Sequence, residues 1–149
     1  MSRADLDFVR TVAAAAEYFA VVATTRPDGS VHASVVMAGV LDDPRTHDPT
    51  VAMVLVGGAR KTEYLRRTGR GAAVFQRGGQ WVAVEGPVLL VGPDDPAEGF
   101  SGADVPALLR DIFVAAGGTH DDWDEYDRVM AQDRRTAVLI VPERVTTRG

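Results

Sequence analysis

The sequence predicts an α+β fold, a six-stranded antiparallel β-barrel with helices over its openings. Three observations carry this expectation. Short β-rich runs are joined by tight turns, at Arg26-Pro27-Asp28-Gly29-Ser30 and at Gly78-Gly79, rather than by helical crossovers. Helical periodicity is confined to segments before, between and after these hairpins. No Gly-rich loop follows the first strand, which disfavours a doubly wound parallel sheet.

The elements follow in order. Ala4 to Tyr18 places Leu6, Val9, Val12, Ala13 and Ala16 on one helical face, with Ser2 or Asp5 as the cap. Phe19 to Thr25 switches to β-rich composition. In the next turn Pro27 presets φ and Gly29 accepts a positive one. Val31 to Val40 resumes as a strand, so Phe19 to Val40 reads as a hairpin. In its second arm Val31, Ala33, Val35 and Met37 share one face, and His32, Ser34 and Val36 share the other. The second face is small and polar near the turn. It suits contact with a flat ligand, or it is a half-solvated edge. Asp42 to Pro49 is a polar loop containing His47, to which no chemistry is assigned.

Thr50 to Val56 is nearly all apolar and closes at Gly57-Gly58, as a strand buried on both faces does. Tyr64 and Leu65 belong to a short helix that stops at Gly69. Arg60 and Lys61 then occupy its first turn, where the helix dipole is already positive. A phosphate on free backbone N–H groups, clamped by guanidinium and ammonium, offsets that cost. The alternative is two solvated cations on an exposed turn.

Gly71 to Arg77 and Gln80 to Val91 form a second hairpin. In the longer arm Val82, Val84, Val88 and Leu90 share a face, with Trp81, Ala83 and Glu85 opposite. Trp81 either stacks on a ring or fills core. Gly92 to Ala103 is a loop, and Asp104 caps a helix with Pro106 in its first turn. Val105, Leu108, Leu109, Ile112, Phe113 and Ala116 give that helix one apolar face, and Gly117-Gly118 ends it. The acidic run Thr119 to Asp127 has the look of a metal cluster. We read it as a capping segment, because first-turn carboxylates complement the dipole and Trp123, Tyr126 and Met130 form a stripe. No metal site is assigned. Thr136 to Val141 is the last expected strand, its pairing limited by Pro142.

At 149 residues the chain is expected to form a single domain over 1–149. A net charge of −5 disfavours nucleic acid as a partner. The lack of cysteine excludes disulfides, thiolate metal sites and a cysteine nucleophile. No apolar run has membrane-spanning length, and Arg3, Asp5, Asp7 and Arg10 stand where a signal peptide needs an apolar core. A cytoplasmic protein is expected.

Three stretches together, VVATTRPDGSVHASVV, GGARKTEYLRRTGRGAAVF and QWVAVEGPVLLVG, resemble the pyridoxamine 5′-phosphate oxidase-like split barrels. They are most similar to the flavin/deazaflavin oxidoreductases that use coenzyme F420. The resemblance runs from about Phe19 to the end, through THDDWDEYDRVMAQDRR and PERV. It implies a split β-barrel homodimer with a cofactor groove at each end of the subunit interface. It implies that Arg60 and Lys61 hold the cofactor phosphate. It also implies that the strand carrying His32, Ser34 and Val36 lies along the ring system, approached by the strand that begins at Gln80 and Trp81. There are two departures. The segment ending PERVTTRG lacks the arginine and histidine substrate contacts of true pyridoxamine phosphate oxidases, so vitamin B6 oxidation is not expected. Trp81 stands where such enzymes tend to carry a flavin-contacting glutamine, which weakens the case for an FMN hydrogen bond without excluding FMN.

The expected function is hydride transfer between a bound deazaflavin, coenzyme F420, and a small organic substrate. The alternatives are an FMN-dependent reductase or oxidase, or a non-catalytic binder of flavin, deazaflavin or haem. The cofactor carries the hard chemistry in such proteins, which accords with the lack of a nucleophile, triad or metal signature. No catalytic residue is assigned. His32 is conceivable as a proton donor, and water is the alternative source.

Overall fold

The computed structural model describes residues 2–147. Their order is α1 (Arg3–Ala15), β1 (Phe19–Thr25), β2 (Val31–Asp42), β3 (Pro49–Val56), α2 (Arg60–Thr68), β4 (Arg70–Arg77), β5 (Gln80–Val91), a 3₁₀ turn at Gly102–Asp104, α3 (Val105–Ala115), α4 (Trp123–Gln132), β6 (Arg135–Ile140) and β7 (Arg144–Thr147). Strands pair in the order β4-β1-β2-β3-β6-β5-β7, and a β4–β5 pairing closes the first six into a barrel. The α+β split barrel expected from sequence is thus observed, with one strand more than expected. β7 pairs with β5 through Val84↔Val145 once Pro142 has ended β6.

β5 makes the barrel split. Its first half pairs with β4 down to Arg70↔Pro87, and its second half pairs with β6 from Val88↔Ile140 onward. α1 leads into the start of β1, while the end of β1 touches α2 through Thr24 and Thr68. The two helices therefore close opposite ends. Val9 and Val12 of α1 and Leu65 of α2 complete an interior of Val22, Met53, Phe75, Val82, Val84 and Ile140. A second apolar layer lies outside β3 and β6, where Leu109, Ile112 and Tyr126 of α3 and α4 cover Ala52 and Leu139.

The helix ends mostly follow the sequence. Ser2 and Asp5 act together: the Asp5 N–H donates to Ser2 Oγ and the Ser2 N–H to the Asp5 carboxylate, each at 3.2 Å. Asp122 caps α4, accepting the Glu125 N–H at 3.1 Å, so the acidic run does serve as a capping segment. Asp104 differs from expectation. Its carboxylate accepts the Ser101 N–H at 2.7 Å and serves the 3₁₀ turn instead of capping α3. No helix among the described residues is long and apolar enough to cross a membrane.

The loop before β3 holds an ion pair absent from the sequence reading, between the exposed Arg45 and the buried Asp43. Arg45 donates to the Asp43 carboxylate from Nε at 3.2 Å and Nη2 at 2.9 Å, and its guanidinium lies 4.9 Å from the Phe100 ring centre. Hydrogen bonds from Arg45 hold the Asp43 carboxyl below its ordinary pKa, against the opposing effect of burial. A depressed carboxyl stabilises the fold above its unfolded pKa, about 3.9, and that contribution is lost as pH falls toward the folded value. Thermal melts should drop below about pH 4, and Asp43→Asn should flatten that acid limb. An unchanged slope in the variant would assign the acid sensitivity to other carboxylates.

Candidate functional site

The site is built at the turn from β3 into α2. The Gly57 N–H donates to the Arg134 carbonyl at 3.0 Å, anchoring the turn to the start of β6. Thr62, buried in the first turn of α2, donates its hydroxyl to the Val56 carbonyl at 2.8 Å. The N-cap is Ala59, which offers no side-chain acceptor. The N–H groups of Arg60, Lys61 and Thr62 are therefore left without an intrahelical or capping acceptor.

α2 carries four cations, and their partners divide them. Arg66 grips Asp95 through Nε at 2.6 Å and Nη2 at 2.9 Å, and Nη2 also donates to the Gly57 carbonyl at 3.1 Å. Hydrogen bonding to Asp95 raises the Arg66 pKa above its ordinary value. Arg67 donates to the Thr25 carbonyl at 2.7 Å. Arg60 and Lys61 have no hydrogen-bond or ion-pair partner among the described residues. Arg66 and Asp95, which brace the turn, are missed by sequence reasoning. They lie 29 residues apart, on a helix and a loop, and no local pattern links them.

One face of α2 looks onto the β1–β2 hairpin. Thr68 Oγ1 lies 3.3 Å from Thr24 Oγ1, and the Tyr64 ring meets His32 edge-on with centres 5.6 Å apart. Lys61 is one turn before Tyr64 on the same face. His32 Nδ1 and Ser34 Oγ are both buried and have no hydrogen-bond partner. These two share the inward face of β2, two residues apart, as the strand parity predicted. Val36, next on that face, packs against the barrel core. Tyr64 thus sets α2 against His32, one turn after Lys61, and Arg60 is exposed at the tip of the helix.

Gln80 and Trp81 lie elsewhere in the same chain. They border a shallow pocket with Phe8 and Thr147, and the Trp81 carbonyl accepts the Thr147 hydroxyl at 2.6 Å. Pro87, at the level of Arg70 just after α2, is six residues along β5, roughly 20 Å away. Within one chain Trp81 and the Arg60-Lys61 turn do not meet.

β2 alternates inversely to an ordinary barrel wall. Its polar residues point in, while Val31, Val35 and Met37 point out with 64%, 63% and 47% of their surface exposed. The registers Phe19↔Met37 and Val21↔Val35 add Phe19 and Val21 beside them. The result is a continuous apolar face on β1 and β2, larger than scattered surface hydrophobes produce.

No protein-family model matches the chain, and no curated protein matches it. Solved structures do. A conserved hypothetical protein from Mycobacterium tuberculosis is 22% identical, with 99% of this chain and 84% of that chain aligned and a TM-score of 0.68. A pyridoxamine 5′-phosphate oxidase-related, FMN binding protein from Nostoc punctiforme is 13% identical over 97% and 82% of the two chains, with a TM-score of 0.66. An F420 reductase is 14% identical over 87% and 90%, with a TM-score of 0.59. Two longer structures, one a heme binding protein from Mycobacterium smegmatis, are matched over only 58% and 55% of their own length. At these identities the likeness is one of fold, and it bears out the fold that the resemblance implied: the chain is a split β-barrel, as these solved structures are.

Proposed function

We propose that this chain is an oxidoreductase that binds coenzyme F420 by its phosphate and passes hydride between the deazaflavin and a small organic substrate. The observation that carries this reading is the Arg60-Lys61 pair, without a partner among the described residues, on a helix N-terminus capped only by alanine. Two cations and three open N–H groups converge there, and an anion answers both costs. His32 Nδ1 and Ser34 Oγ are two further polar atoms without a partner, buried on the inward face of β2, where Val36 packs against the core. The bound deazaflavin supplies the hydride chemistry. The protein's share is to hold the phosphate, orient the ring and exclude water.

FMN is the second reading, because the same clamp accepts either phosphate and solved neighbours include proteins named for each cofactor. The deciding experiment is the visible spectrum of the purified protein titrated with F420, FMN and haem, followed by turnover under reducing conditions. Tight F420 binding supports the first reading. Exclusive FMN or haem binding sinks it, and binding without turnover of any acceptor tried would favour a carrier.

A second copy of the chain belongs to this proposal. The apolar face of β1 and β2 is what a two-fold interface would bury, and a partner would bring its own Gln80 and Trp81 to the first chain's groove. Light scattering should report a dimer at micromolar concentration. A monomer there would remove half of the groove. With Trp81 in the groove, cofactor binding should quench tryptophan emission, and Trp81→Ala should weaken the quench. Equal quenching and affinity in that variant would leave Trp81 as packing only.

A further inference from the structure

A cavity of about 490 Å³ opens on the outer side of the barrel, away from His32 and Ser34. Its walls are Met37 of β2, Val54 of β3, Phe113 of α3, and Tyr126 and Met130 of α4, and Arg135 at the start of β6 is its one charged residue. The volume falls within the range that encloses a small organic ligand. The polar tip of Tyr126 is already used, because its hydroxyl donates to the Leu109 carbonyl at 3.1 Å. Only its ring is offered to the cavity.

Arg135 is incompletely satisfied. Its Nε and Nη2 reach a single Asp133 oxygen at 3.4 and 3.3 Å, longer than charge-assisted pairs usually are. Arg66 and Arg110, by contrast, each grip both oxygens of one carboxylate. The Arg135 charge also reaches into the cavity wall: it acts to lower the Tyr126 pKa, against a larger upward push from burial. An apolar chamber with one under-used guanidinium at its rim matches a ligand with an apolar body and one anionic end.

We propose that this cavity binds a planar or branched apolar small molecule bearing a carboxylate, with the carboxylate on Arg135. Its position suggests the substrate of the oxidoreductase proposed above, and the substrate assignment rests on that reading. Arg135 pairs with Val56, and the neighbouring Arg134 carbonyl anchors Gly57, so the rim of the cavity adjoins the turn that carries Arg60 and Lys61. The binding claim itself stands apart from any cofactor.

The test uses naphthalene-2-carboxylate and its uncharged analogue naphthalene-2-methanol as probes. The chain has two tryptophans, and Trp123 packs edge-on against Phe113 and Tyr126 of the cavity wall. In a Trp81→Phe background, Trp123 emission therefore reports on the cavity. The acid should change that emission saturably and bind at least tenfold tighter than the alcohol. Arg135→Gln should remove the preference, weakening the acid about tenfold and leaving the alcohol unchanged. Ala116→Leu, which fills the cavity from the residue just after α3, should weaken both probes. Thermal melts establish that each variant is folded, and two-dimensional NMR of the Arg side chains repeats the test on the unmutated chain. Equal binding of acid and alcohol, or an acid affinity indifferent to Arg135→Gln, overturns the proposal. So does competition between the acid and FMN or F420, which would make the cavity the cofactor's own. Normal cofactor binding with no acid binding defeats this inference alone. Acid binding in a chain that takes no cofactor defeats the functional reading alone.

Discussion

Lys61→Ala and Arg60→Ala should each weaken cofactor binding about tenfold to a hundredfold while leaving the apo-protein's melting temperature nearly unchanged. A charge-assisted hydrogen bond contributes about 1.5–3 kcal/mol, and each 1.4 kcal/mol is a factor of ten in affinity. Folding should not suffer, because neither side chain has a protein partner to lose among the described residues. Removing a cation from the positive end of an empty helix is neutral or slightly favourable. Arg66→Ala is the contrasting control. It leaves the buried Asp95 without its partner and frees the Gly57 carbonyl, so it should lower stability and affinity together. Titrations with F420 and FMN, beside melts without ligand, separate the two behaviours. Wild-type affinity in both first-turn variants would mean that Arg60 and Lys61 are merely solvated.

Gly86→Ala should destabilise the barrel by about 3 kcal/mol, lowering the melting temperature by roughly 6–12 °C for a chain of this size. A Cβ at that position would lie 1.9 Å from the Val141 carbonyl oxygen and 3.1 Å from the Glu143 nitrogen. Both are backbone atoms that cannot turn aside. They are also tied to β5, since the Val141 N–H donates to Pro87 at 2.8 Å and the Glu143 N–H to Glu85 at 2.9 Å. The clash falls where the chain passes over β5 between β6 and β7, so the variant should loosen β7 first. Gly58→Ala, where an added Cβ meets nothing within 4 Å, should melt within a degree or two of the parent. A Gly86→Ala melt equal to that of Gly58→Ala would show that the β6–β7 connection shifts at little cost.

Local chemistry made most elements legible. The turn at Arg26 to Ser30, the Gly78-Gly79 hairpin and the left-handed stop at Gly69 each follow from a residue that permits one backbone geometry more readily than others. Strand parity separated His32 and Ser34 from Val31 and Val35, because the side-chain period of a strand admits no other arrangement. The Arg60-Lys61 turn was legible for an electrostatic reason: cations at a helix start oppose the dipole and so stand out in a sequence. β7 was not legible. Four residues after a proline, three of them exposed, carry no periodic signal, and the edge of β5 gives them a partner.

What the sequence determined by itself was most of the elements, most of their caps and the position of two adjacent cations at a helix start, since each depends on residues within a turn or two. The tertiary structure decided the relations between distant positions. It set Arg66 against Asp95 and Arg110 against Asp127. It turned Val31, Val35 and Met37 of β2 outward and His32 and Ser34 inward. It left Trp81 roughly 20 Å along β5 from Pro87, the residue paired with Arg70 just after α2. Those outcomes depend on which strands pair and in what register. Register is selected by the burial of the whole barrel at once, and no short stretch of sequence contains that sum.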